Sequence, residues 1–322
     1  MSRDLVSLPK VHLHVHLEST VRPDSVPPPP PVFTGFEAFI EWTTAVRACL
    51  REDADFEQAA YAFCVDSAAD GVRYAELTFT AAAHGVRLGT GTRPLEAVLA
   101  GLRAGMRDTG IEVRLLLDHS RRRPLEWASD TVRMAAAHPD LVVGFGVAGD
   151  EAPPLAPYAS VVDAAAEAGI HLVHHAGETG GPASVREALR IGRAERIGHG
   201  IRSLEDPEVV AELRERQVSL EVCPSSNVAV GLVPSPAEHP LPLMIDAGLA
   251  VTLSTDMPAV TGRTLADEYA AVREIFGATD AELATLAAAA VDASFAPATL
   301  KAELHADITT WLTTEPGLLI RR

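Results

Sequence analysis

The chain has 322 residues and a formal net charge of −17, from 44 acidic against 27 basic side chains. A surface so acidic repels phosphate backbones and anionic lipid, which argues against nucleic acid and membranes as partners and points to small molecules. Apolar residues make up 47 % and charged ones 22 %, enough for a large core, and the three dispersed cysteines Cys49, Cys64 and Cys223 offer neither a disulfide framework nor a thiolate metal site.

The first ten residues carry no leader-like apolar run, and no apolar stretch reaches the roughly 18 residues of a membrane span, so a cytoplasmic protein is expected. In chain order, short apolar runs rich in strand formers fall at residues 11–17, 72–79, 112–118 and 141–147, then at 171–175, 196–199, 219–223 and 250–255. Helical periodicity fills the gaps, as at 94–109, 125–138, 161–169, 207–216 and 265–276. Eight strands alternating with helices call for a parallel sheet. At this length a single (β/α)8 TIM barrel over residues 1–322 is the economical closure. Two regions depart from the alternation. The proline run at 27–31 must be a stiff surface connection, and the alanine-rich stretches 280–291 and 297–312 predict extra C-terminal helices outside the barrel.

The residues capable of chemistry gather where strands end. His14 and His16 are two apart on the first strand and so share a face. The fifth strand ends in His174-His175-Ala176-Gly177-Glu178, the sixth in Gly198-His199-Gly200 and the eighth in Ser254-Thr255-Asp256-Met257-Pro258. In a parallel barrel these C-terminal ends meet at one mouth, where such barrels place their active sites. Imidazoles plus one carboxylate suit Zn²⁺ or a similar divalent ion, which acidifies water near neutral pH. Glu178 is then free to hand a proton to a ring nitrogen, and His199 to take the proton of the attacking water.

The run Leu8-Pro9-Lys10-Val11-His12-Leu13-His14-Val15-His16-Leu17-Glu18 resembles the opening motif of the adenosine deaminase family. So do Ala148-Gly149-Asp150-Glu151, His175-Ala176-Gly177-Glu178, Arg196-Ile197-Gly198-His199-Gly200, Cys223-Pro224-Ser225-Ser226-Asn227 and Ser254-Thr255-Asp256. They occur in the family's order, from Leu8 to about Phe295. The resemblance implies a hydrolytic deaminase of a purine nucleoside, purine base or related aminated heterocycle. It implies His14, His16, His175 and Asp256 as metal ligands, Glu178 as the acid and His199 as the group acting on water. By the same likeness the Gly149 N–H contacts a ring nitrogen and Glu18 meets the ribose hydroxyl. One metal is expected, because the only lysines, Lys10 and Lys301, lie far from the fourth strand, where related two-metal enzymes carry a bridging modified lysine.

Three positions and one stretch depart from the family's pattern and bear on substrate. Met257 stands where a second Asp would hydrogen-bond the purine, and Gly146 where a buried Asp is common. His12 replaces an acid and reads as a core residue. The stretch 21–39 is shorter than in relatives, with proline in place of helical cover over the site. A deaminase or other hydrolase of a non-purine heteroaromatic substrate is therefore the alternative reading, and a binding or regulatory relative a third, opposed by the presence of both Glu178 and His199. The zinc deaminases that act on cytosine need a Pro-Cys-x-x-Cys pair, which is absent. Oligomeric state is not legible.

Overall fold

The computed structural model describes residues 2–21 and 26–314. Its sheet has eight strands in the order β1 to β8, every neighbouring pair parallel. They are β1 Lys10–His16, β2 Val72–Phe79, β3 Glu112–Ser120, β4 Val142–Ala148, β5 His171–Ala176, β6 Arg196–His199, β7 Ser219–Val222 and β8 Val251–Leu253. Each matches a predicted run. The shifts at the ends have local causes. Leu17 opens a 3-10 turn, Leu17–Thr20, instead of ending β1. After β8 the chain leaves the ladder to close the barrel: Asp256 N–H donates to the His14 carbonyl at 2.9 Å, and His16 N–H to the Asp256 carbonyl at 3.0 Å. The seam of the barrel is thus made by backbone of the residues singled out for chemistry.

Helices wrap the sheet: α1 Phe36–Arg47, α2 Asp53–Ala69, α3 Ala81–Leu88, α4 Arg93–Thr109, α5 Leu125–Ala136, α6 Ala159–Glu167 and α7 Pro182–Arg190. After these come α8 Pro207–Arg216, α9 Pro224–Ala229, α10 Leu241–Asp246, α11 Pro258–Thr261, α12 Leu265–Phe276, α13 Asp280–Ala293 and α14 Ala298–Thr313. The last two are the predicted additions, and α13 packs against β1 and β8. Reciprocal caps fix some starts: Thr264 and Asp267 at α12, Thr279 and Glu282 at α13. No helix among the described residues is long and apolar enough to cross a membrane.

Cover over the mouth differs from the expectation. Residues 27–31 are irregular, as predicted, but Trp42 Nε1 donates to the Pro27 carbonyl at 3.0 Å and ties the segment to α1. Phe33, Phe39, Trp42, Val46, Met257 and Val260 then form a separate apolar cluster above the barrel. Helical cover is present, built from aromatic side chains on α1. Arg22 to Ser25, also part of the short stretch, lie outside the described residues.

Candidate active site

His14 and His16 from β1, His175 from β5, His199 at the end of β6 and Asp256 beyond β8 converge at the C-terminal mouth. Ligand atoms of His14, His175, His199 and Asp256 all lie within 4.8 Å of one another. His16 joins them, its Nε2 3.3 Å from His175 Nε2 and 3.4 Å from Asp256 Oδ1. The chain is strained there. Four described non-glycine residues have positive φ, and two of them are His199 at 66° and Asp256 at 59°. Such backbone costs on the order of 1–3 kcal/mol and persists where surrounding contacts hold it, commonly at functional sites.

Whether a cation fits can be tested on His14. Its Nδ1 donates to Glu221 Oε2 at 2.9 Å, which leaves Nε2 as the nitrogen turned to the centre, where a bound cation would take the place of its proton. That Nε2 is buried without a hydrogen-bond partner and lies 3.5 Å from Asp256 Oδ1. Burial would lower the imidazole pKa, yet Asp256 and Glu221 raise it to about 10. For Asp256, burial is likewise overcome by His14 and the neighbouring imidazoles, which hold it well below the usual carboxylate range. The carboxylates draw positive charge to the centre, and the donor set of nitrogen and oxygen suits a divalent metal ion. Behind His14 the orientation is fixed in depth. Arg196 Nε donates to Glu221 Oε1 at 2.6 Å, its NH2 group pairs with Glu76, and its guanidinium lies 3.9 Å from the Phe295 ring centre.

His199 is as close to the centre as the predicted ligands, and its hydrogen bonds set its tautomer. The Leu241 N–H donates to His239 Nδ1 at 3.1 Å. Burial lowers His239 to about 4, so the ring is neutral and its proton sits on Nε2. That proton goes to Asn227 Oδ1 at 3.2 Å, and the Asn227 amide donates to His199 Nδ1 at 3.2 Å. Burial also lowers His199 to about 3. Neutral His199 therefore carries its proton on Nε2, which faces Glu178 Oε1 at 3.6 Å. His199 thus turns Nε2 toward the centre and Glu178, the nitrogen through which the expected proton transfer with the attacking water would run.

Glu178 is buried, and its carboxyl is pushed well above the ordinary value by burial, then by Asp256 and Glu151. Glu151 fixes its loop. One carboxylate accepts the N–H groups of Gly177 at 2.7 Å and of Glu178 and Thr179 at 2.8 Å. Gly177 is required, since it has φ +68° and a Cβ there would meet Val185 at 2.7 Å. Asp150, its neighbour in the motif, instead pairs with Arg122 at 3.0 Å.

A cavity of about 280 Å³ opens onto this centre, its walls including His16, Phe39, Gly149, Glu178, His199 and Met257. Met257 is buried, its backbone caps α11, and its side chain belongs to the apolar cluster of the cover. Gly146 leaves no room for the family's Asp, because a Cβ would run into the Val173 carbonyl oxygen. His12 is a core residue, lowered to about 3 by burial and accepting the Thr255 N–H at 3.3 Å. Glu18 does not line the cavity. Its Oε1 lies 3.1 Å from both the Thr80 N–H and His84 Nε2. Burial would raise its pKa, but His84 draws it down to about 2.

Sequence reasoning missed Asp118 and Arg47, which also line the cavity. An acid ending the apolar run Leu115-Leu116-Leu117 was a usable signal for Asp118; Arg47 gave none. Glu151 and Asn227 lay in the quoted motifs without a role, Glu221 lay two residues before one of them, and His239 lay well outside them.

A family model described as adenosine deaminase matches residues 31–311. The chain belongs to the adenosine deaminase family. An adenine deaminase of Streptomyces coelicolor is 38 % identical over 90 % of this chain and 91 % of its own length. An aminodeoxyfutalosine deaminase of the same organism is 36 % identical over 95 % and 85 %. The crystal structure of adenine deaminase from Arthrobacter aurescens superposes with a TM-score of 0.87 at 31 % identity, covering 95 % of this chain and 99 % of that one. Relatives of nearly equal identity bear names for different substrates, so membership of the adenosine deaminase family leaves the substrate of this chain open.

Proposed function

We propose that the chain is a metal-dependent hydrolytic deaminase that replaces the amino group of a purine nucleoside, purine base or related aminated heterocycle with oxygen and releases ammonia. The observation that carries this reading is Glu178, a buried carboxyl kept toward its acid form beside the His/Asp cluster, in one cavity. His14, His16, His175 and Asp256 would hold one divalent ion, zinc by donor type. An ion bound there supplies acidified water near neutral pH.

The remaining work falls to side chains. Glu178 donates its proton to the ring nitrogen beside the carbon under attack, so that charge does not build on the ring. His199 donates from Nε2 to the attacking oxygen and fixes its approach. The Gly149 N–H, at a glycine with φ +81° in the cavity wall, holds a second ring nitrogen. Water provides the oxygen, which the ring keeps, and two protons: one restores Glu178 after its proton has gone to the ring nitrogen, and the other goes to the amino group, which leaves as ammonia as the carbon–nitrogen bond breaks.

A second reading, a non-purine heteroaromatic, draws support from Met257. A thioether in an apolar cluster offers at best a weak acceptor where purine recognition asks for a polar partner. Ammonia release from metal-replete protein over adenosine, adenine, other aminated purines and aminated non-purine rings separates the two. At least one purine should react, and Glu178→Gln should keep the metal yet lose on the order of 10²–10⁴-fold in turnover. Ammonia only from non-purine rings overturns the purine reading.

A further inference from the structure

Three polar atoms in one wall of the cavity are buried without a well-aligned hydrogen-bond partner: Arg47 Nε, Thr80 Oγ1 and Asp118 Oδ1. They come from three elements. Arg47 ends α1, Thr80 follows β2, and Asp118 lies near the end of β3. Thr80 and Asp118 are themselves more than nine-tenths buried. The group is one neighbourhood: the Thr80 hydroxyl is within hydrogen-bonding reach of the Asp118 carboxyl, and the Arg47 charge reaches it. On its other side Asp118 Oδ2 stands 4.0 Å from His16 Nδ1, so the wall adjoins the reacting centre. Buried polar atoms are nearly always paired, and three together on a cavity wall mark the place where a ligand pairs them.

We propose that Arg47, Thr80 and Asp118 form a subsite for a neutral, hydroxylated substituent of the substrate, such as a furanose with free hydroxyls, so that the heterocycle is taken as a glycoside in preference to the free base. This rests on the deaminase reading above. The donor and acceptor balance selects the class. Asp118 needs a donor, Arg47 an acceptor, and Thr80 takes either. An anionic group would face the Asp118 carboxylate and an ammonium would face Arg47, whereas vicinal hydroxyls donate to one and accept from the other. Of the other charged groups near the wall, Glu18 is held by Thr80 N–H and His84 and Arg122 by Glu37 and Asp150, while the Arg123 guanidinium lies 5.7 Å from the Trp127 ring centre.

The test is equilibrium binding of unreactive product-like rings to the metal-loaded protein by calorimetry, comparing hypoxanthine, inosine and inosine 5′-phosphate. The glycoside should bind at least 10-fold more tightly than the bare ring. In Arg47→Met and in Thr80→Val the ratio should fall to within 3-fold of unity. Asp118→Leu should do the same, provided elemental analysis shows that its metal is retained. Equal binding of ring and glycoside, or a preference that survives Arg47→Met and Thr80→Val, overturns the subsite. A phosphorylated glycoside binding 10-fold more tightly than the neutral one overturns its neutral character. Ammonia release is read separately: its absence with the binding preference intact counts against the deaminase reading and not against the subsite.

Discussion

Replacing Glu151 with Gln probes how the loop that carries Glu178 is held. The carboxylate receives three N–H groups, Glu178 and Thr179 on Oε1 and Gly177 on Oε2. A glutamine oxygen can still take two, but its NH2 group then faces the third donor. One N–H, in a buried stretch of chain, loses its partner, at a cost of about 1–3 kcal/mol. For a chain of this size each kcal/mol moves Tm by roughly 2–4 °C, so Glu151→Gln should melt roughly 2–12 °C below wild type near pH 7. The pH dependence gives a sharper check. Burial would raise the Glu151 pKa, but the Ser184 hydroxyl beside it and the loop N–H groups bring it below the ordinary 4.5. A carboxyl depressed in the folded state contributes stability that is complete above its unfolded pKa and disappears as pH falls through the folded one. The Tm gap between the two proteins should therefore be constant above about pH 5 and narrow below the ordinary carboxylate value. Scanning calorimetry from pH 3.5 to 8 measures it. Equal melting at pH 7, or a gap that does not narrow with acid, would refute the clamp.

Two further outcomes follow from the centre and its surroundings. Metal analysis of gently purified protein should give about one divalent ion per chain, falling below a tenth of that in His14→Ala; two per chain would contradict the one-metal expectation. Asn227→Leu removes the amide that fixes the His199 tautomer, so kcat should fall on the order of 10-fold or more with KM within about 3-fold, and nitrogen-15 NMR should show the His199 proton no longer confined to Nε2; an unchanged tautomer would break the chain from Leu241 to His199.

The barrel was legible because buried parallel strands are short, continuous apolar runs, and each of the eight stands out between helices. Its imprecision had a local source. At both ends of the seam, residues 15–17 and 254–256 serve closure and site together, and their backbone departs from strand geometry where Asp256 turns to positive φ. Helix α2 carries no clean stripe because its alanines bury on more than one side, and α1 was obscured by the prolines before it. The metal-type residues were legible for a chemical reason. Few side chains can ligate or transfer protons, and parallel topology delivers strand ends to one place.

What stayed hidden depends on which partner a side chain finds, and no spacing encodes that. Glu18 and Asp118 are both buried acids near the mouth, and the resemblance gave the substrate contact to Glu18. The fold spends Glu18 on Thr80 N–H and His84, while Asp118 keeps an oxygen without a well-aligned partner in the cavity wall. His199 shows the same limit. Its place at a strand end announces a functional residue, but donor or acceptor is decided by a proton position set three residues away in a chain of contacts: Leu241, His239, Asn227. The first of these is a backbone amide, which can only donate, and that one fixed direction orders every proton between it and the reacting centre.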